Sequence, residues 1–326
     1  MKVLVTGASG FVGSQLAPAL AKSHDVLAVS RQAWVWPSLA GLTARAGVAL
    51  HAADSEWLAL LAGQEVVVHV AGRAHVMQEQ AADALAAFRE VNVDATLRLA
   101  TLAIQSGVKR LVFISSIKVN GESTVAGSPF SPEDAPAPVD PYGQSKLEAE
   151  IGLQALAAAS GLELVIIRPT LIYGVGAKGN LALLQRIMRW PLPLPLGRIC
   201  NHRSMVALDN LIDFIELAIR HPSAAGQVFL LADVAWSTPE LLKIMAAASG
   251  RSLWLLPIPV SFLYQLASLV GRSAWITRLC GNLEVDSTGA HKHLGWQPPV
   301  EPAHALQRMV IADGSVTASR PATAKL

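Results

Sequence analysis

Tyr142 and Lys146 stand four residues apart in the run Asp140-Pro141-Tyr142-Gly143-Gln144-Ser145-Lys146. On a helix, that spacing brings a phenol and an ammonium onto one face. A nearby positive charge favours phenolate, so the pair predicts a tyrosine of lowered pKa that works as acid and base near neutrality. Asp140 and Pro141 suit the cap and first position of such a helix. Far upstream lies a second chemical signal, the loop Gly7-Ala8-Ser9-Gly10-Phe11-Val12-Gly13. Glycines there permit a tight turn and let backbone approach a pyrophosphate, while a helix N-terminus offers N–H groups to the anion. An ordinary strand-to-helix turn could use the same residues. The context, an apolar run before the loop and a helical pattern after it, favours a bound dinucleotide. Loop and pair together suggest redox chemistry.

These residues need a scaffold, and the first half of the chain supplies one by alternating short apolar runs with longer helical patterns, the signature of βαβ units and a parallel sheet. The pattern predicts strands at Lys2–Thr6, Val26–Ser30, Val48–His51, Val66–Val70, Leu111–Ser115 and Leu164–Arg168. It predicts helices at Phe11–Ala21, Ser55–Leu61, Ala84–Ser106 and Gln144–Ala159. After Arg168-Pro169, proline-rich segments at Trp190–Gly197 and Leu256–Pro259 interrupt helices at Ala182–Arg189 and Leu208–Ile219. Val228–Leu231 reads as a strand returning to the main sheet. The fold class is therefore α/β, a doubly wound parallel sheet with a smaller α/β lobe. Residues 1–170 form the dinucleotide domain, rejoined by 204–235. Residues 171–203 and 236–312 form the substrate lobe, and 313–326 a flexible tail of small polar residues.

The 326 residues suffice for such a core, and a formal charge of +2 with 15% charged residues leaves no concentrated basic face for nucleic acid. Cys200 and Cys280 are too far apart in sequence for a metal spacing and fit reduced, buried thiols. His291 and His293 are too isolated to hold a metal. The rapid arrival of glycines after Met1 does not suit a signal peptide, so a cytoplasmic protein is expected. Residues 253–271 carry no charge, a length that could nearly span a bilayer. Pro257, Pro259, Ser261, Gln265 and Ser268 argue instead for a loop and a short amphipathic helix, Ser261–Val270, packed or interfacial. The mean hydropathy of +0.40 keeps peripheral contact with a membrane surface in view.

The spacing G-x-x-G-x-x-G, with Asn92 in Val91-Asn92-Val93, Ser115-Ser116 at a strand end, Tyr142-x-x-x-Lys146 and Arg168-Pro169 in order, resembles the extended short-chain dehydrogenase/reductase family. Arg203 in Asn201-His202-Arg203-Ser204-Met205-Val206 and the closing Leu294-Gly295-Trp296 extend the resemblance to its sugar-nucleotide epimerases. The run Phe113-Ile114-Ser115-Ser116-Ile117-Lys118-Val119-Asn120-Gly121 and His75-Val76-Met77 look like the subgroup of bacterial surface-polysaccharide assembly.

The resemblance implies a Rossmann fold, NAD or NADP as cofactor, a UDP-sugar substrate and a homodimer formed through the helices at Ala84–Ser106 and Tyr142. It makes Tyr142 the acid/base, Lys146 the ligand of the nicotinamide ribose and Ser116 the partner of the reacting oxygen. Gly7, Ser9, Gly10, Phe11, Val12, Gly13, Ala71 and Asn92 would line the cofactor, and Asp54 would meet the adenine amine. Asn180, Arg203 and Arg278 would hold the sugar nucleotide, arginine offering phosphate a fixed fork of donors. Arg31, where NAD-specific relatives carry an acid after the second strand, leans toward the 2′-phosphate of NADP.

Dehydratases of the family carry an Asp-Glu pair after the active hydroxyl residue, whereas Ile117-Lys118 follow Ser116 here. Without those carboxylates 4,6-dehydration lacks its acid and base. A 4-epimerase and a one-way 4-keto reductase, of the kind that makes UDP-N-acetylquinovosamine, both fit what remains. A non-catalytic NADP sensor would have no need of an activated tyrosine.

Overall fold

A computed structural model of the chain describes residues 1–74, 83–177, 180–188, 193–269 and 273–318. The run His75-Val76-Met77 and the side chains of Asn180 and Arg278 lie outside the described residues. In chain order the elements are β1 (Lys2–Thr6), α1 (Gly13–Leu20), β2 (Asp25–Ser30), β3 (Leu42–Ala46), α2 (Asp54–Leu61), β4 (Val66–His69) and α3 (Ala84–Arg89). A π-helical turn (Glu90–Asp94) joins α3 to α4 (Ala95–Gln105), and β5 (Arg110–Ile114) leads to a 3-10 turn (Ile117–Val119). Then follow α5 (Pro141–Ser160), β6 (Glu163–Pro169), β7 (Leu171–Tyr173), α6 (Asn180–Ile187), β8 (Arg203–Ala207), α7 (Leu208–Arg220), β9 (Val228–Leu231) and β10 (Val234–Trp236). The chain closes with α8 (Thr238–Ala248), α9 (Val260–Leu269), α10 (Ser273–Cys280), α11 (Thr288–Leu294) and α12 (Pro302–Ala318).

Seven of the strands form one parallel sheet in the order β3-β2-β1-β4-β5-β6-β9. Val3-Leu4-Val5 and Val66-Val67-Val68 are buried on both faces, as near-continuous apolar runs in a parallel sheet must be. One face packs α1, α7 and α11 through Leu16, Phe214 and Leu294, and the other packs α2, α4 and α5 through Trp57, Leu99 and Leu153. The strand order reverses between β1 and β4, and in such sheets the crevice outside the strand ends at that point receives ligands. β9 rejoins the sheet beside β6 with Phe229 opposite Ile167. β7, β8 and β10 form a separate small sheet, with β8 in the middle. Its own core runs through Tyr173, Leu181, Met205, Leu242 and Leu306.

Four local expectations need correction. Val48–His51 is not a strand: Val48 tucks a turn under β2 by donating to the Ser30 carbonyl, and the edge strand is β3. β3 is mostly exposed, so it lacks the apolar run that marks a buried strand. The Ala84–Ser106 helix is broken by the π turn that carries Asn92. Helix α12 continues to Ala318, past the point where the tail was expected to begin. Cys200 is exposed rather than buried, and Cys280 is half-buried; both thiols are free. Among the described residues no helix is long and apolar enough to cross a membrane.

Candidate active site

At the switch point the glycine loop lies against the end of β4. Gly7 has φ +67°, and a Cβ there would stand 2.6 Å from the Ala71 nitrogen. A Cβ on Gly13 would stand 2.7 Å from the Ala8 Cα, so α1 starts hard against the loop only because neither residue has a side chain. Gly10 donates to the Gly7 carbonyl at 2.9 Å and closes the turn. Val12 caps α1 without any side-chain acceptor, and no acidic residue stands in the first turn. A bare helix start behind a loop that only glycine can form fits a dinucleotide pyrophosphate. Phe11 reaches from this loop to both the sheet core and the small-lobe core. Ser9 is part-exposed on the same loop.

Around this cradle the remaining cofactor candidates are spread along the strand ends. Arg31 is exposed just beyond β2. Asp54 opens α2 and is held in an ion pair by Arg98, which also donates to the Ala52 carbonyl at 2.7 Å. Ala71 donates its N–H to Thr6 Oγ1 at 3.3 Å. The same threonine meets His69 Nδ1 at 2.7 Å, and His69 Nε2 meets Thr96 Oγ1 at 2.9 Å, a fully buried chain linking β1, β4 and α4. Burial first, and then the Lys146 charge, push the His69 pKa down to about 3, which keeps this imidazole neutral. Asn92 accepts from the Arg73 N–H at 2.7 Å and donates to Ser145 Oγ at 2.9 Å. It thereby ties the strand-end backbone to α5.

Helix α5 begins as the sequence predicts. Asp140 accepts from the Gly143 N–H at 2.7 Å, and Pro141 occupies the first turn. Tyr142 and Lys146 share a face, and Tyr142 stands beside Ser116, which itself caps the 3-10 turn after β5. Lys146 donates to the Ile114 carbonyl at 2.9 Å and lies 4.5 Å from the Phe113 ring centroid. The expected lowering of the tyrosine is not what the geometry gives. Burial pushes the Tyr142 pKa up to about 12, the neighbouring Ser116 opposing it and the Asp140 charge adding to it. The Lys146 ammonium is instead committed to Ile114, and burial lowers its own pKa to about 8 against the pull of Glu150.

Sequence reasoning missed the groups that hold this triad in place. Glu150, one further turn along the Tyr142–Lys146 stripe, accepts from Ser115 Oγ and pairs with Arg168 at 2.6 Å. Arg168 also donates to Asn120 Oδ1 at 2.8 Å, and both partners of the ion pair are buried. The spacing of four from Lys146 to Glu150 was the available signal. Lys118, noted above only for what it replaces, pairs with Asp140 and with Glu122, the latter at 3.0 Å, and so ties the Ser116 loop to the cap of α5. Gly143 allows the approach, since a Cβ there would stand 2.6 Å from the Lys118 carbonyl oxygen.

In the small lobe, Arg203 opens β8 and donates to the Gly281 carbonyl at 3.1 Å. Asn201 donates to the Leu279 and Gly281 carbonyls at 3.1 and 3.2 Å, fixing the end of α10 beside it. Asn180 starts α6 and Arg278 lies within α10. Tyr173, Asp233 and Asn210 form a further polar knot, with Asn210 donating to the Asp233 carboxylate at 2.6 Å and Tyr173 donating to the Pro302 carbonyl at 3.2 Å.

A doubly wound sheet with a glycine cradle at its switch point, and a serine, tyrosine and lysine on the strand and helix that border it, defines a nicotinamide-dependent oxidoreductase scaffold. Residues 3–232 match the NAD dependent epimerase/dehydratase family, and the chain belongs to that family and is an NAD(P)-dependent enzyme. It is 45% identical over 299 residues to a UDP-glucose 4-epimerase of Vibrio cholerae, covering 91% of this chain and 90% of that protein. It is 26% identical to the N-acetyl-alpha-D-glucosaminyl-diphospho-ditrans,octacis-undecaprenol 4-epimerase of Escherichia coli O157:H7, over 94% and 93% of the two chains. The solved UDP-glucuronic acid 4-epimerase of Bacillus cereus, in complex with NAD, shares the fold at a TM-score of 0.75 and 21% identity, covering 97% of this chain and 99% of that one.

Proposed function

We propose that this chain is a 4-epimerase of UDP-hexoses or UDP-N-acetylhexosamines, working in the synthesis of surface polysaccharide. The observation that carries the reading is Tyr142 on the first turn of α5, packed against the turn that Ser116 caps, beside an Ile117-Lys118 step whose lysine pairs with the local carboxylates Glu122 and Asp140. Proton transfer at one sugar hydroxyl has its group in Tyr142, whereas elimination across C5 and C6 finds no carboxylate at positions 117 and 118. The oxidised nicotinamide, when bound, supplies a positive ring and the hydride acceptor that C4 requires. Tyr142, as phenolate, takes the proton of the C4 hydroxyl and returns it to the C4 oxygen once the 4-keto sugar has turned to present its opposite face. Ser116 holds the C4 oxygen through both transfers. Lys146, held by the Ile114 carbonyl, stands where a ribose hydroxyl and the phenolate could share its charge. Arg203 would hold the diphosphate, with Asn180 and Arg278 as further candidate ligands. Two copies would pair through α4 and α5, where Ile151 is exposed.

Arg31 favours a second reading. It lies exposed after β2, where an adenosine 2′-phosphate would be received, and a reductase using NADPH once per turnover would need such a contact. Proton NMR of UDP-glucose and UDP-N-acetylglucosamine, incubated with wild type and Tyr142→Phe at catalytic NAD, tests the proposal. Growth of the galacto epimer with wild type alone supports it. Consumption of NADPH in the presence of a 4-keto-6-deoxy sugar, with no interconversion of C4 epimers, would replace it with the reductase.

A further inference from the structure

Two stretches of the small lobe, residues 171–203 and 241–283, contain nine lysines and arginines and no aspartate or glutamate. Over the whole of 171–203 and 236–312 the lobe carries 11 basic residues against four acidic ones, Glu240, Glu284, Asp286 and Glu301, so of the chain's 26 basic and 24 acidic residues the rest carries 15 against 20. The near-neutral net charge therefore conceals two lobes of opposite sign. A diphosphate needs only a few of these cations, and several, such as Arg198, Lys243 and Arg251, are exposed.

The same lobe also exposes apolar side chains that its core does not use. On α9, Leu263 and Ala267 face the lobe core, while Phe262, Leu266 and Leu269 form a stripe on the other side with exposures of 54%, 54% and 83%. The strand segment that leads into α9 adds Trp254 at 70% exposure and Leu256 at 42%. That segment is braced by pairing with the 194–197 segment, since Leu194 donates to Trp254 and Gly197 to Leu256, at 2.8 and 2.9 Å. The aromatic and aliphatic groups are thus displayed on ordered backbone. A short helix that buries one apolar edge, exposes another and belongs to a lobe with an excess of cations has the composition of an element lying in a bilayer interface.

We infer that the small lobe docks through Trp254 and the outer face of α9 onto an anionic lipid surface, independently of which sugar is turned over at the active site. A neutral or acidic surround would have pointed to a second copy of the chain, but two lobes of this charge repel each other.

Vesicle co-sedimentation of the full chain tests the inference. One set of vesicles contains phosphatidylglycerol with phosphatidylethanolamine, the other phosphatidylcholine alone. The inference expects binding to the anionic vesicles, weakened by salt, and roughly tenfold weaker in the Phe262→Ser/Leu266→Ser double variant. Circular dichroism and turnover of a water-soluble UDP-sugar should be unchanged in that variant, since neither side chain touches the site. Absence of sedimentation with the anionic vesicles would overturn the inference, as would equal sedimentation of wild type and variant. It would also be overturned if sedimentation velocity showed a dimer that the same substitutions dissolve.

Discussion

Tyr142 keeps its proton in the resting protein because burial outweighs the opposing influence of Ser116. Deprotonation must therefore be driven by positive charge brought close on binding, which makes the tyrosine an acid and base only in the loaded site. Tyr142→Phe should lower turnover by about 10²- to 10⁴-fold while the unfolding midpoint stays near that of wild type, measured by NMR assay and urea denaturation. A second residue-scale prediction concerns His69. Its unfolded value is 6.5 and its folded value about 3. Below pH 6.5 the unfolded chain therefore binds a proton that the folded chain refuses. The stability it confers is present above pH 6.5 and drains away as pH falls toward 3, at no more than about 1.4 kcal/mol per pH unit. His69→Gln should show a shallower loss of stability between pH 6.5 and 5, and parallel slopes would refute the assignment. Ser116 was legible through the family resemblance, and Tyr142 and Lys146 because their spacing alone puts them on one helix face. Their pKa values were not, because those depend on burial and on the Ile114 carbonyl, which no spacing encodes.

At the scale of elements, the site is assembled where α5 meets the turn after β5. Gly143 permits the contact, so Gly143→Ala must push α5 away from Lys118 and separate Tyr142 from the Ser116 turn. We expect kcat to fall by roughly tenfold to a hundredfold with little change in KM, since a displacement of about 1 Å at the reacting groups is enough for that. The Glu150–Arg168 pair anchors the next turn of the same helix. Arg168→Ala would strand a buried carboxylate and should cost about 3–5 kcal/mol in denaturant unfolding. The strands and helices flanking this junction were legible because both-face burial writes apolar runs such as Val66-Val67-Val68. β3 was not, since an exposed edge strand leaves no such run and the apolar Val48 beside it belongs to a turn. The π turn at Asn92 was equally hidden: its sequence reads as uninterrupted helix, and only the hydrogen bonds to Arg73 and Ser145 show what the extra residue accomplishes.

The molecule as a whole joins a cofactor sheet to a basic, partly apolar lobe, and the two meet at the glycine loop through Phe11. The order of motifs along the chain revealed the sheet and the cradle, because each is local in sequence. The small lobe was less legible, since its sheet draws β7, β8 and β10 from separated stretches and its polar ties run between residues such as Asn201 and Leu279. In the proposed function, hydride leaves C4 of a sugar nucleotide and returns to the same carbon. The most direct test is to supply UDP-glucose and UDP-N-acetylglucosamine deuterated at C4, with unlabelled NAD at catalytic level, and to follow the label by NMR and mass spectrometry. Epimerisation within one binding event predicts a galacto product that keeps deuterium at C4 without accumulation of reduced cofactor. Product carrying hydrogen at C4, or turnover only with stoichiometric NADPH, would contradict it.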